Sequence, residues 1–224
     1  MSVSSSIVST IVTPALKSRA KYVCSYVTLT VDMFNVLSHR PLDVEDNISA
    51  ILQELVKIAS AIKAWRGPIV DAINDNRCFN STPAAGRKWR TLIKLLFETD
   101  KTALTELLSR ITTAPSANIF SNKEYEMLLR SLNLRRLSYV LLSGEKNQFL
   151  TQLPTIQEKL VDTLRNVAAP IVQSEVYLCV RILLCRLSPH NLSSFWPTIL
   201  TELVRIVHSP IGCFSLMTTV VPSL

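Results

Sequence analysis

Glycine is the residue this chain does almost without: four in 224 positions, against an average usage of about 7%. Hairpins and bulges in a sheet take glycine wherever the backbone must turn left-handed or come close to itself. Such scarcity argues against a sheet protein and for helices joined by short turns. Leucine, isoleucine, alanine, lysine and glutamate fill the periodic segments, which agrees. The chain therefore reads as all-α. With short connections and no clean fixed-period repeat, the architecture expected is an irregular HEAT-like α-solenoid, a stack of helical hairpins burying a continuous core.

Along the chain, a first helix is expected over about 15–38, with Pro41 after it. In "DVEDNISAILQELVKIASAIKAWRGP", Ile48, Ile51, Leu52, Leu55, Ala59, Ile62 and Trp65 recur at helical spacing. Asp43 or Asp46 offers the N-cap, and Gly67 with Pro68 marks the predicted stop. Residues 74–86, "NDNRCFNSTPAAG", read as the main internal loop. A helix after it places Trp89, Leu92, Ile93, Leu96 and Phe97 on one stripe. Asp100 then caps a short helix burying Leu104, Leu107, Leu108 and Ile111.

Ser121 and Glu124 have capping-box spacing, with Phe120 and Tyr125 at the staple positions. The buried stripe of that helix is predicted at Leu128, Leu129, Leu132, Val140 and Leu141, and Gly144 is its C-terminal cap. "LPTIQEKLVDTLRN" turns Ile156, Leu160, Val161 and Leu164 inward. "SEVYLCVRILLCRL" is apolar on nearly every side, as a helix covered on both flanks would be. "WPTILTELVRIV" is the last clear helix. Three regions are expected: 1–40, a weakly defined N-terminal helix; 41–207, the helical domain; and 208–224, a divergent, loosely ordered apolar tail.

The formal charge of +7 suits nucleic acid, anionic lipid or an acidic protein, and by itself selects none. Five cysteines at irregular spacing, with no CxxC pair, read as reduced thiols of a cytosolic protein. The N-terminus lacks the positive region of a secretory signal. From Ile206 to Leu224 no residue is charged, yet Pro210, Pro222, His208 and several hydroxyls argue against a membrane helix there.

"RLSPHNLSSFWPTILTEL", residues 186–203, raises the one question of chemistry. Ser188-Pro189 and Trp196-Pro197 punctuate the chain, because a residue before proline avoids the helical region and proline suits a first helical turn. A structural corner of Ser188, Pro189, Leu192, Trp196 and Pro197 follows, with Leu192, Phe195 and Trp196 covering the ends of both helices. The competing reading is a thiol enzyme built on Cys185 and His190. A cysteine within an apolar helix, however, has its thiol pKa raised rather than lowered. A zinc site from Cys185, His190, His208 and Cys213 lacks the close ligand pairs of structural sites. No phosphate-loop, dinucleotide, zincin or nucleophile-elbow pattern occurs. No catalytic residue, cofactor or metal is therefore assigned. Arg87, Lys88, Arg90 and Lys94, beside Trp89, form the candidate contact for lipid headgroups or an acidic partner. Arg130, Arg135 and Arg136 form a weaker group. Neither has the interleaved aromatics of a nucleic-acid platform.

"LPTIQEKLVDTLR", then "RILLCRLSPHNLSS" and "FWPTILTEL", resembles the C-terminal region of the Dopey family of Golgi and endosome trafficking proteins. There LPxIQExL leads to a leucine-rich helix and then to SPxxLxSxWPxxxxEL. "WRTLIKLLFETDKTALTELLSR" and "NIFSNKEYEMLLRSLNLRRLSYVLLSGEKNQF" match the preceding stretch in order and spacing. The likeness runs from about Trp65 to Val207. Phe195 stands where the family more often has leucine, and the residues after Val207 depart from the pattern. Family members are much longer, so the resemblance implies a truncated chain. It also implies a non-enzymatic, cytosolic scaffold peripherally bound to Golgi and endosomal membranes. Such a scaffold serves protein transport between endosomes and the trans-Golgi network. The partners it implies are an Arf-exchange-factor-related Golgi scaffold and an aminophospholipid flippase.

Overall fold

A computed structural model describes residues 62–112, 122–193 and 195–207, together with Leu42, Ala50, 52–54 and 56–57. The predicted helix over 15–38, the caps Asp43 and Asp46, and the tail 208–224 lie outside the described residues. Among those described, regular structure is entirely helical. They fall into two compact units, one up to Ala103 and one from Leu104. In each, helices pack against one another, consistent with an all-α solenoid.

In the first unit, α1 (Ile62–Asn74) and α2 (Pro83–Thr99) pack together. Two predicted boundaries need correction here. The helix expected to run unbroken to Trp65 is interrupted, since Val56 and Lys57 form a turn. The Lys57 amide bonds the Glu54 carbonyl at 3.3 Å, a tightened i→i+3 closure that ends the helical stretch. Gly67-Pro68, the predicted stop, instead lies inside α1. Proline usually expels its predecessor from helical geometry by pressing on that residue's Cβ, and Gly67 has none. Trp65, Ile69, Ala72 and Ile73 are buried on both sides of the proline and carry the helix past it.

The loop is also shorter than predicted, because Pro83 to Gly86 form the first turn of α2. Thr82 is the N-cap, its side chain accepting from the Ala85 amide at 3.3 Å, and Pro83 takes the position where no amide is needed. The predicted stripe of α2 is buried throughout. Asp100 accepts from the Thr102 amide at 2.9 Å and so starts α3 (Lys101–Thr112). Leu104, Leu107, Leu108 and Ile111 are buried on α3 as expected.

The second unit takes in α3 from Leu104 onward, with α4 (Lys123–Ser143), α5 (Leu153–Asn166), α6 (Pro170–Arg186), the single turn α7 (Pro189–Leu192) and α8 (Trp196–Val207). Its main contact is α4 on α6, with α5 against α6 and α8 against α5. The N-cap of α4 is Asn122, whose side chain accepts from the Glu124 amide at 2.9 Å. Ser121 and Phe120 of the predicted capping box and staple lie outside the described residues, and Tyr125 is exposed.

The stripe predicted on α4 is partly wrong. Val140 and Leu141 are buried, but Leu128 is exposed, and the packed face runs through Ser131, Leu134, Ser138 and Leu141, with Leu137 beside it. Serine is admissible there because its hydroxyl can bond its own helix: Ser131 Oγ donates to the Leu128 carbonyl at 2.7 Å. Gly144 is the C-cap as predicted, at an ordinary φ of −68°. The glycine is needed for space, since a Cβ would lie 2.6 Å from Phe149 Cε2.

Candidate functional site

The corner is assembled by a residue the sequence motifs did not single out. Asn147 takes φ of 64°, the left-handed region in which asparagine is enriched. From there its amide faces the end of α6. Asn147 Oδ1 accepts from the Ser188 amide at 2.8 Å, and Nδ2 donates to Ser188 Oγ at 2.7 Å. The Asn147 amide donates to the Arg186 carbonyl at 3.0 Å. An Arg186 guanidinium nitrogen returns a bond to the Gly144 carbonyl. The turn 144–149 is thus stitched to 186–188, where Pro189 begins α7 and Pro197 lies in the first turn of α8. Asparagine in a polar turn was the available signal, but its long-range partner has no local signature.

Leu192 and Phe195 are buried, whereas Trp196 is 39% exposed. The expectation that Trp196 covers both helix ends is therefore corrected. The Ile199 amide bonds the Phe195 carbonyl at 3.2 Å, so Phe195 sits at the helix entry pointing into the core, and Trp196 follows about 100° further round. Leu200 and Val204, four and eight residues on, are exposed as well. The opposite face of α8 carries Glu202, 2% exposed. Its carboxylate accepts from Arg165 Nε of α5 at 2.6 Å and from Arg205 Nε at 2.8 Å. Burial alone would raise this carboxyl, but the Arg205 and Arg165 hydrogen bonds and charges hold it below its usual value.

The Cys185–His190 pair is corrected too. Cys185 is exposed rather than buried in an apolar helix, and His190 is exposed on α7. The buried thiol of α6 is Cys179, pushed up to about 12 by burial, which the Ser138 hydroxyl offsets only in part. Among the described residues no three His, Cys, Asp or Glu side chains are grouped to hold a metal. His208 and Cys213 lie outside them. Nor, among the described residues, is any helix long and apolar enough to cross a membrane.

The basic group on α2 is less uniform than its sequence. Trp89 is core: its indole Nε1 donates to the Leu42 carbonyl at 2.9 Å, and Leu42 is itself held by Ser81 Oγ at 3.0 Å. Arg87 is exposed, Lys88, Arg90 and Lys94 are half-buried, and Lys94 lies 3.9 Å from Glu98. The second group is not a surface patch. Arg130 pairs with Glu126 at 3.0 Å, Arg135 with the buried Glu175, and Arg136 is buried. A cleft of about 570 Å³ opens between the first turns of α4 and the α5–α6 connection, lined by Lys123, Met127, the Glu126–Arg130 pair and Asn166 to Ala169.

The family model described as DOP1 C-terminal matches residues 1–218. Protein DOP1 homolog of Drosophila pseudoobscura pseudoobscura is 34% identical over 199 residues, which cover 88% of this chain and 7% of that relative. Protein pad-1 of Caenorhabditis elegans is 34% identical over 159 residues, 70% of this chain and 7% of its own length. Protein DOP1B of Mus musculus is 31% identical over 155 residues, or 69% of this chain and 6% of that protein. The chain thus spans less than a tenth of these relatives. No solved structure matches it.

Proposed function

From the premise that this chain belongs to the Dopey (DOP1) family, with the family's C-terminal domain over residues 1–218, we propose that it is a non-enzymatic scaffold in vesicle traffic between endosomes and the trans-Golgi network. It works by protein–protein contacts of its helices, on the cytosolic side of Golgi and endosomal membranes. The family membership carries this reading. Exposed Trp196, Leu200 and Val204 on one side of α8 are the kind of surface a scaffold offers. The partners proposed are an Arf-exchange-factor-related Golgi scaffold and an aminophospholipid flippase. The test is binding of the purified full chain to each purified partner, with localisation of a tagged chain against trans-Golgi and endosomal markers. Saturable binding to either partner with co-localisation supports the reading. No binding to either, with a diffuse distribution, overturns it.

A second reading is a peripheral anionic-lipid module using Arg87, Lys88, Arg90 and Lys94. It is favoured by Arg87, which is exposed and has no ion-pair partner among the described residues. Flotation with phosphoinositide-containing liposomes, lost on reversing Arg87 and Lys88 to Glu, supports this reading. Flotation that survives the reversal removes it.

A further inference from the structure

Ser188 joins two observations that the scaffold reading does not use. It precedes Pro189 in extended backbone, φ −71° and ψ 146°, and Pro189 and His190 are exposed. Its hydroxyl oxygen accepts from Asn147 Nδ2 at 2.7 Å, yet its own proton has no acceptor among the described residues. Ser188 is itself half-buried, between buried Leu187 and these two exposed residues, so the oxygen that anchors the turn is also a nucleophile at the surface edge of a Ser-Pro dipeptide. Thr82-Pro83 differs, because Thr82 Oγ1 caps α2 and the residues after it are fixed in a helix of 17 residues. After Ser188 only one helical turn follows. Thr13-Pro14 and Ser209-Pro210 lie outside the described residues.

We propose that Ser188 is a phosphoacceptor for a proline-directed protein kinase and that its phosphate opens the Asn147 clasp. In the transfer, Ser188 Oγ bonds the γ-phosphorus of ATP while the bond from that phosphorus to the β–γ bridging oxygen breaks. ADP leaves, and the hydroxyl proton passes to the kinase's catalytic carboxylate. The product carries a charge of about −1.5 to −2 with three further oxygens. The clasp is fitted to a neutral hydroxyl: Nδ2 sits 2.7 Å from Oγ while the carboxamide Oδ1, an acceptor, holds the Ser188 amide at 2.8 Å. A phosphoryl group there displaces Nδ2 and faces the lone pairs of Oδ1, which already accepts from the Ser188 amide. The side-chain clasp of Asn147 on Ser188 is then lost, and turn 144–149 is left with the Asn147 amide bond to the Arg186 carbonyl and the Arg186 bond to the Gly144 carbonyl.

The test treats the full chain with a cyclin-dependent-class kinase and MgATP, maps the phosphopeptides, and follows amide hydrogen exchange. The expected result is near-stoichiometric phosphate at Ser188, absent in Ser188→Ala. Exchange at 145–149 should then be about fivefold to a hundredfold faster, as the loss of two hydrogen bonds gives. Unphosphorylated Asn147→Ala should show the same acceleration. Folded chain that takes no phosphate at Ser188 overturns the proposal, whether or not a peptide of residues 183–194 is phosphorylated. So does phosphorylated chain whose turn exchanges at the same rate or slower, as it would if Lys146, Arg186 or His190 captured the phosphate.

Discussion

Phe195 and Trp196 are adjacent aromatics at the entrance to α8, and the structure assigns them opposite roles. Phe195 is 1% exposed and Trp196 39%. Truncating a fully buried phenylalanine removes a transfer contribution of about 1.5–3 kcal/mol and leaves a cavity, which together cost about 3–5 kcal/mol. For Trp196 only about three-fifths of the side chain is covered. The transfer contribution falls to about 1–2 kcal/mol, and an opening at the surface fills with water, so no cavity cost is added. Phe195→Ala should therefore cost the full chain about 2 kcal/mol more than Trp196→Ala. In a chain of this size 1 kcal/mol corresponds to about 2–4 °C, so the two melting temperatures should differ by about 4–8 °C. Urea unfolding followed by circular dichroism and by tryptophan fluorescence reads the difference directly. A Trp196→Ala variant as unstable as Phe195→Ala would refute the burial argument and make Trp196 the packing anchor after all.

Three further outcomes are expected. Burial would raise the Asp100 carboxyl, but the Arg66 and Thr102 hydrogen bonds hold it at about 2. A lowered folded pKa stabilises above the unfolded value of about 3.9 and is lost as pH falls towards 2. The stability gap between the natural chain and Asp100→Asn, which keeps an N-cap, should thus close between about pH 4 and pH 2 in urea titrations. Gly144→Ala should cost about 1–3 kcal/mol, because the new Cβ meets Phe149 Cε2 at 2.6 Å. An unchanged urea midpoint would contradict that crowding. A maleimide at neutral pH should label Cys185 within minutes while Cys78 and Cys179 react only on unfolding, as peptide mapping will show.

The sequence by itself determined the fold class and the family. Glycine scarcity, the stripes Trp89 to Phe97 and Ile156 to Leu164, and the Asp100 cap all act within a few residues of themselves, so their structural meaning is local and readable. The corner was legible as a turn for the same reason, since proline constrains only its neighbours. Tertiary structure decided the rest. Two serines on the packed face of α4 do not look apolar, and only the approach of α6 shows that they are core. Gly67-Pro68 reads as a stop until the buried residues on both sides carry the helix through it. Which aromatic of Phe195-Trp196 is covered depends on the angle at which α8 enters. The Asn147–Ser188 clasp joins residues 41 apart in sequence, and no local rule pairs them. Side-chain burial and long-range hydrogen bonds are properties of two surfaces meeting, and one stretch of sequence describes only one of them.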